Sequence, residues 1–195
     1  MRRLLIGYAI SLLVGIPLGI FLAKVEWLSD TVGSVVLGLQ TVPSVCWLPI
    51  ALIMFGQNDG AILFVVVMGA LLAITVAVQD GVRNLPPSYL RAARTMGTLS
   101  FAVYTQVILP ATTPAIVLGA KLGWSFAWRS LMAGELLYET PGLGHLLNRG
   151  RQTGDMSQVV MVMLTIVVLG LITDKVVFAT LETRVRERWG LSQSV

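Results

Sequence analysis

The chain has 195 residues, of which 55% are hydrophobic and only 12% are charged, and its net charge is +4 with a mean hydropathy of +0.81. Soluble domains contain about 25% charged residues, so this composition indicates a membrane protein and argues against a soluble nucleic-acid-binding protein despite the basic charge. The single cysteine, Cys46, excludes an intramolecular disulfide and a cysteine-based metal site.

Five apolar segments, taken in chain order, are long enough to cross a membrane as helices. A hydrocarbon core of about 30 Å requires about 20 apolar residues in a helix. The predicted spans lie at 4–23, 35–55, 61–79, 110–134 and 156–180. Strands are disfavoured because the apolar runs are long and do not alternate. We therefore predict an all-α polytopic membrane protein in which residues 1–195 form a single transmembrane domain.

Basic residues predict the orientation of these spans. Five spans place the termini on opposite sides, whereas the loop at 80–109 and the C-terminal tail share a side. If that side is cytoplasmic, seven basic residues lie inside: Lys24, Arg83, Arg91, Arg94, Arg184, Arg186 and Arg188. Four then lie outside: Arg2, Arg3, Arg149 and Arg151. The excess of lysine and arginine in cytoplasmic loops favours this orientation, although Arg2 and Arg3 argue against it.

The second span contains two prolines that are expected to disturb its helix. Pro43 and Pro49 remove backbone donors and kink a helix. Such kinks often occur where a helix lines a cavity. Two interpretations remain open: the kink is purely structural, or Thr41 and Ser44 line a translocation pathway.

The loop after the third span is predicted to contain a short helix. Pro86 and Pro87 suit a first helical turn. Residues 88–96 are largely good helix formers, and Gly97 can end the helix in a left-handed conformation. Such a helix at the membrane surface either ties two spans together or receives force from a soluble partner.

The same loop has a characteristic spacing, RAARTMGTLSFAVYTQVILP at 91–110. It resembles the EAA loop of the permease subunits of binding-protein-dependent ABC importers, whose pattern is Glu-Ala-Ala, three residues, Gly, nine residues and Ile-x-Leu-Pro. Five residues fall in register: Ala92, Ala93, Gly97, Leu109 and Pro110. Val107 replaces the isoleucine, and Arg91 stands where the family has glutamate, so the pairing of that glutamate cannot be transferred.

The resemblance implies a function. Residues Arg91, Ala92, Ala93, Arg94, Gly97, Leu109 and Pro110 would form the loop that couples the chain to an ATPase. The chain would be half of a homodimeric pore in a bacterial inner membrane, with its C-terminus in the cytoplasm. Two cytoplasmic ATPase subunits would hold ATP and Mg, and an extracytoplasmic solute-binding protein would deliver the solute. Many relatives begin with one more helix, and the sequence leaves open whether a preceding span is missing here.

Three further stretches resemble one branch of that family. They are LLVGIPLGI, LQTVPSVCWLPIAL and KLGWSFAWRSLMAGELL. They are similar to permeases of the nitrate, sulfonate, taurine and bicarbonate branch, which implies a small anionic solute.

The fourth span contains charged residues at unusual positions. At 100° per residue, Lys121, Ser125, Trp128 and Glu135 share one face, and Arg129 lies at its margin. Lys121 is expected about 16 Å along this span, near the bilayer centre, with no acid at the same depth. An intramembrane charge normally faces a cavity or a partner. We therefore keep two interpretations, a positively lined pathway or a structural ion pair, for example with Glu135 of a neighbouring subunit.

The sequence contains no Walker glycine loop, metal-ligand cluster or nucleophile–base arrangement. We therefore predict a transport subunit that is not itself an enzyme and holds no cofactor. One alternative is an ion-coupled secondary transporter, which would require repeats, intramembrane carboxylates or broken helices. A non-transporting membrane assembly protein is the other.

Overall fold

The computed structural model describes residues 1–96, 100–138 and 140–188, and these residues are almost entirely helical. The helices are α1 (Arg2–Lys24), α2 (Ser29–Gln40), α3 (Ser44–Phe55), α4 (Asp59–Arg83), α5 (Pro87–Thr95), α6 (Thr105–Ala111), α7 (Thr113–Leu137), α8 (Leu143–Thr153) and α9 (Met156–Val185). Short helical turns at Glu26–Leu28 and Ser100–Val103 precede α2 and α6. A π-helical turn lies within α9 at Asp174–Ala179.

Helix α4 forms the centre of the fold, with α1 and α7 packed against it on two sides. Glycines on both neighbours allow a close approach to Ile74 of α4. A Cβ added to Gly15 would lie 3.1 Å from Ile74 Cγ2, and one added to Gly123 would lie 2.5 Å from Ile74 Cγ1. These glycines belong to two Gly-x3-Gly sequences, Gly15 to Gly19 in the first span and Gly119 to Gly123 in the fourth. Such sequences indicate small faces that let membrane helices pack closely.

Side-chain contacts show which helix ends lie together. At one end, Arg3 of α1 forms an ion pair with Asp59, the first residue of α4, with 2.7 Å between Nη2 and Oδ1. At the opposite end, the Arg83 guanidinium donates a hydrogen bond to Ser29 Oγ over 2.7 Å. Helices α1 and α4 are therefore parallel, and we call the two ends the Arg3 end and the Arg83 end. Because α1 finishes at the Arg83 end and α4 begins at the Arg3 end, α2 and α3 together must cross between them.

The remaining helices cross in alternating directions. Gly81, near the end of α4, faces Ala115 at the start of α7, and Ile62 faces Gly134, so α4 and α7 are antiparallel. Helix α9 returns beside α7, since Gly170 faces Trp128 while Lys121 pairs with Glu182 further along α9. The described chain thus crosses five times. Helices α1, α4 and α9 are each long and apolar enough to span a membrane, and the bent pairs α2–α3 and α6–α7 bring the number to five.

The second crossing differs from its prediction. The sequence predicts a kinked helix over 35–55, but α2 and α3 meet at 101°. Pro43 is extended, with φ −54° and ψ 137°. A proline disfavours helical geometry in the residue before it, and its own nitrogen donates no hydrogen bond. The chain therefore breaks at Thr41–Pro43 and restarts as a 3-10 turn at Ser44–Trp47.

Candidate coupling helix and solute pathway

The predicted surface helix is present as α5 (Pro87–Thr95), at the Arg83 end of the molecule. Pro87 is its first residue, as expected for a residue without a backbone donor. Arg91 and Ala92 are exposed, whereas Ala93 is only 4% exposed. The helix therefore has one side buried against the protein and another that presents small and basic side chains to its surroundings.

The other residues of the predicted loop lie on both sides of a gap in the described chain. Gly97, and with it the predicted left-handed end of α5, lies outside the described residues. Arg94 lies within α5. Leu109 and Pro110 belong to α6 and are exposed, next to the buried Ile108. Helix α6 meets α7 at 49° and so connects the loop directly to the fourth crossing.

The predicted pathway residues separate into three cavities rather than one. At the Arg3 end, Trp128 and Glu135 line a cavity of about 590 Å³. Lys121 lines a cavity of about 320 Å³ near the Arg83 end. Between the two ends, Thr41 and Ser44 line a cavity of about 350 Å³ beside the break of the second crossing. Ser125 is half-buried on α7.

The cavity at the Arg3 end is organised by the Glu135 carboxylate, whose side chain is 5% exposed. Its Oε2 accepts a hydrogen bond from the Gly144 backbone N–H over 3.1 Å, and its Oε1 lies 4.0 Å from Arg3. Gly142 and Gly144 leave room for this carboxylate, because a Cβ on Gly144 would lie 2.7 Å from Glu135 Cβ. Glu135 thus joins α1, α7 and the start of α8, and it compensates the charge of Arg3.

The environment of Lys121 corrects an expectation from the sequence. Its Nζ lies 3.3 Å from Asp174 Oδ1 and 3.7 Å from Glu182 Oε2, so the prediction of no nearby acid was wrong. Lys121 lies about 12 Å along α7 from its first residue, Thr113, at 1.5 Å per residue, rather than the roughly 16 Å expected from Pro110. Lys121 has these partners because α9 continues as a helix past Thr173 and brings the carboxylates of Asp174 and Glu182 against α7. Lys121 therefore has a structural ion pair within its own chain.

Arg129 was not among the predicted pathway residues, yet it lines the middle cavity with Thr41 and Ser44. From α7, Phe126 and Ala133 line the same cavity, so this face lies beside the one that carries Lys121. The Arg129 guanidinium carbon lies 5.2 Å from the centroid of the Phe126 ring. The signal in the sequence for this role of Arg129 is its position at the margin of the helix face that carries Lys121.

The described residues offer little to a metal ion, since they contain no group of three histidine, cysteine, aspartate or glutamate residues arranged to hold one. The chemistry of the three cavities is instead that of charge. Each is lined by at least one basic side chain, and Arg3 and Lys121 at the two ends are paired with carboxylates.

Comparison with known proteins identifies similar sequences. Residues 15–187 match the family described as binding-protein-dependent transport system inner membrane component. The chain is 28% identical over 175 residues to a putative ABC transporter permease protein of Methanocaldococcus jannaschii, covering 89% of this chain and 66% of the relative. It is 29% identical over 177 residues to the nitrate import permease protein NrtB of Leptolyngbya laminosa, covering 91% of this chain and 63% of the relative.

A bicarbonate relative has a similar level of identity. The bicarbonate transport system permease protein CmpB of Synechococcus elongatus is 27% identical over 178 residues, covering 91% of this chain and 64% of the relative. The chain thus spans about two thirds of the length of these relatives. Among solved structures, the fold is similar to an inward-facing MetNI methionine ABC transporter, with a TM-score of 0.77 at 19% identity, covering 98% of this chain and 92% of that chain. At this identity the similarity concerns the fold alone.

Proposed function

The chain belongs to the family of binding-protein-dependent transport system inner membrane components, and from this premise we propose that it forms half of the pore of an ATP-driven importer for a small anion. Its partners would be a second copy of the chain, two ATPase subunits that hold ATP and Mg, and a solute-binding protein. The chain itself would hydrolyse nothing. The names of the nitrate and bicarbonate relatives support the anionic class of solute.

The observation that carries this proposal is the position of α5. It lies between the third and fourth crossings, at the same end as the C-terminal part of α9, with Arg91 and Ala92 exposed. A short helix linked through α6 to a membrane-crossing helix can transmit the movement of a soluble ATPase into the membrane. We propose that the residues of this loop, Gly97 and Arg94 included, form the ATPase contact. Since Arg91 replaces the family glutamate, we expect an acidic residue on the ATPase opposite it.

We further propose that the Arg83 end faces the cytoplasm and the Arg3 end faces outward. The distribution of basic residues supports this orientation. Arg3 argues against it, although in the fold this arginine pairs with Asp59 and Glu135. In this orientation α5 and the C-terminal part of α9 meet the cytoplasm, where an ATPase can reach them.

An ion-coupled secondary transporter is the alternative that one observation favours, since such proteins use broken membrane helices. The break between α2 and α3 has that form. However, the described residues that line the adjoining cavity include an arginine and no carboxylate, and carboxylates are what a cation relay within the membrane uses. Membership of a binding-protein-dependent family also favours the importer.

Uptake into proteoliposomes tests the proposal. The complex would contain the chain, its proposed ATPase partner and a solute-binding protein on the outside. We expect uptake of nitrate or bicarbonate that requires both enclosed ATP and the binding protein. Uptake driven by a proton or sodium gradient without ATP would contradict the importer and support the secondary transporter.

A further inference from the structure

The middle cavity combines features that the proposed function does not by itself explain. It lies between the α2–α3 break, α4 and α7, and its volume is about 350 Å³. A water molecule occupies about 30 Å³ in the liquid, so this space is sufficient for a small anion and part of its hydration shell. From α4, Met68 and Leu72 line it, and both lie well inside this long helix. The cavity is therefore within the membrane rather than at either surface.

Arg129 is the charged side chain of this cavity, and its charge is not compensated within the described part of the chain. The described ion pairs involve Arg3, Arg83 and Lys121 but not Arg129. An intramembrane cation is costly and normally pairs with a carboxylate or faces a polar cavity. Arg129 is exposed in the single chain and lines this cavity, so it takes the second arrangement. A guanidinium also offers several donors in a plane, which suits the oxygens of a planar anion.

Polar groups of the α2–α3 break line the cavity beside the guanidinium. Ser44 is the first residue of α3. The first backbone N–H groups of a helix lack partners within it and favour negative charge. The side-chain oxygen of Gln40 is buried and has no hydrogen-bond partner among the described residues. Thr41 Oγ1 donates to the Gly38 carbonyl over 2.7 Å, which fixes the end of α2. Among these groups, the Arg129 guanidinium and the Ser44 hydroxyl are the donors available to an anion, whereas the Thr41 hydroxyl is committed to Gly38.

We propose that Arg129 and Ser44 bind a small oxyanion in this cavity during its passage. This inference deepens the proposed function and rests on it, since it assigns the solute contact within the membrane. Lys121 is not that contact, because Asp174 and Glu182 already compensate its charge. The break of the second crossing then has a role: it opens the cavity and presents the start of α3 to the anion.

The test compares single substitutions in the complete complex, reconstituted in proteoliposomes with nitrate and bicarbonate as probes. Arg129→Gln removes the charge, Arg129→Lys retains it, and Ser44→Ala removes the hydroxyl. Arg151→Gln is the matched control, since it makes the same change at an exposed arginine of α8. We expect uptake to fall at least tenfold in Arg129→Gln and about threefold in Ser44→Ala, with Arg129→Lys between wild type and Arg129→Gln. Arg151→Gln should behave as wild type.

ATPase stimulation by the binding protein separates this inference from the proposed function. We expect stimulation in Arg129→Gln to stay within twofold of wild type, because the site acts on the anion and not on coupling. Wild-type uptake in both Arg129→Gln and Ser44→Ala would overturn the anion site but leave the importer intact. Failure of Arg129→Gln to assemble, with normal uptake in Ser44→Ala, would show that Arg129 pairs with a carboxylate of a second copy and would also overturn it. A wild-type complex without ATP-dependent uptake would overturn the proposed function itself.

Discussion

Replacing Ala92 with leucine is expected to lower binding-protein-stimulated ATPase activity and uptake at least tenfold while leaving the complex assembled. Ala92 is exposed on α5, and the neighbouring Ala93 is buried and anchors the helix. A leucine adds three carbons to a surface that the ATPase must approach closely. Overpacking of a fitted contact costs about 1–3 kcal/mol, and about 1.4 kcal/mol corresponds to a tenfold change in rate. We therefore expect the stimulated ATPase rate to fall at least tenfold.

The control for this substitution is Ala92→Ser, which keeps a small side chain at the same position and should retain stimulation within twofold of wild type. Co-purification of the ATPase with both variants would show that assembly is preserved. Wild-type stimulation in Ala92→Leu would mean that α5 is not the coupling element and merely connects the third and fourth crossings.

Replacing Gly19 with leucine is expected to have the largest effect on stability. A Cβ at Gly19 would lie 2.6 Å from the Thr75 carbonyl oxygen and 2.8 Å from Val78 Cβ. The first of these atoms belongs to the α4 backbone and cannot move aside without displacing the helix. Loss of the α1–α4 contact should cost several kcal/mol. On the scale of soluble proteins of this size, about 1 kcal/mol corresponds to about 2–4 °C, so we expect the melting temperature in detergent to fall by roughly 10 °C.

Gly38 provides the matched control, because it also lies in a helix but a Cβ there would meet nothing within 4 Å. The Gly38→Leu variant should melt within about 2 °C of wild type, within the range of ordinary surface substitutions. Equal melting temperatures for Gly19→Leu and Gly38→Leu would show that the close packing of α1 on α4 does not determine stability.

The features that the sequence predicts well are those that depend on local chain chemistry. Pro87 suits a first helical turn, and α5 begins there. The glycine pairs of the first and fourth spans indicate close packing, and Gly15 and Gly123 do face Ile74. Long apolar runs indicate membrane helices irrespective of what surrounds them, and the described chain crosses in the predicted order.

The features that the sequence does not predict depend on how the helices are placed against each other. A helical wheel of the fourth span cannot show that α9 brings Asp174 and Glu182 to Lys121. The two prolines of the second span predict a kink, but its size of 101° depends on where α2 and α3 pack. The sequence likewise does not show whether Arg129 extends to the membrane surface or lines a cavity. It lines a cavity because the break between α2 and α3 creates one beside it.

Cross-linking from α5 tests the central claim most directly. A photo-reactive residue would be placed at Ser88, an exposed position of α5, or at Thr153, an exposed position at the end of α8 near the opposite end of the molecule. In membranes containing the whole complex, we expect Ser88 to form an adduct with the ATPase and Thr153 to form none. An ATPase adduct from Thr153 and none from Ser88 would contradict both the coupling role of α5 and the proposed orientation.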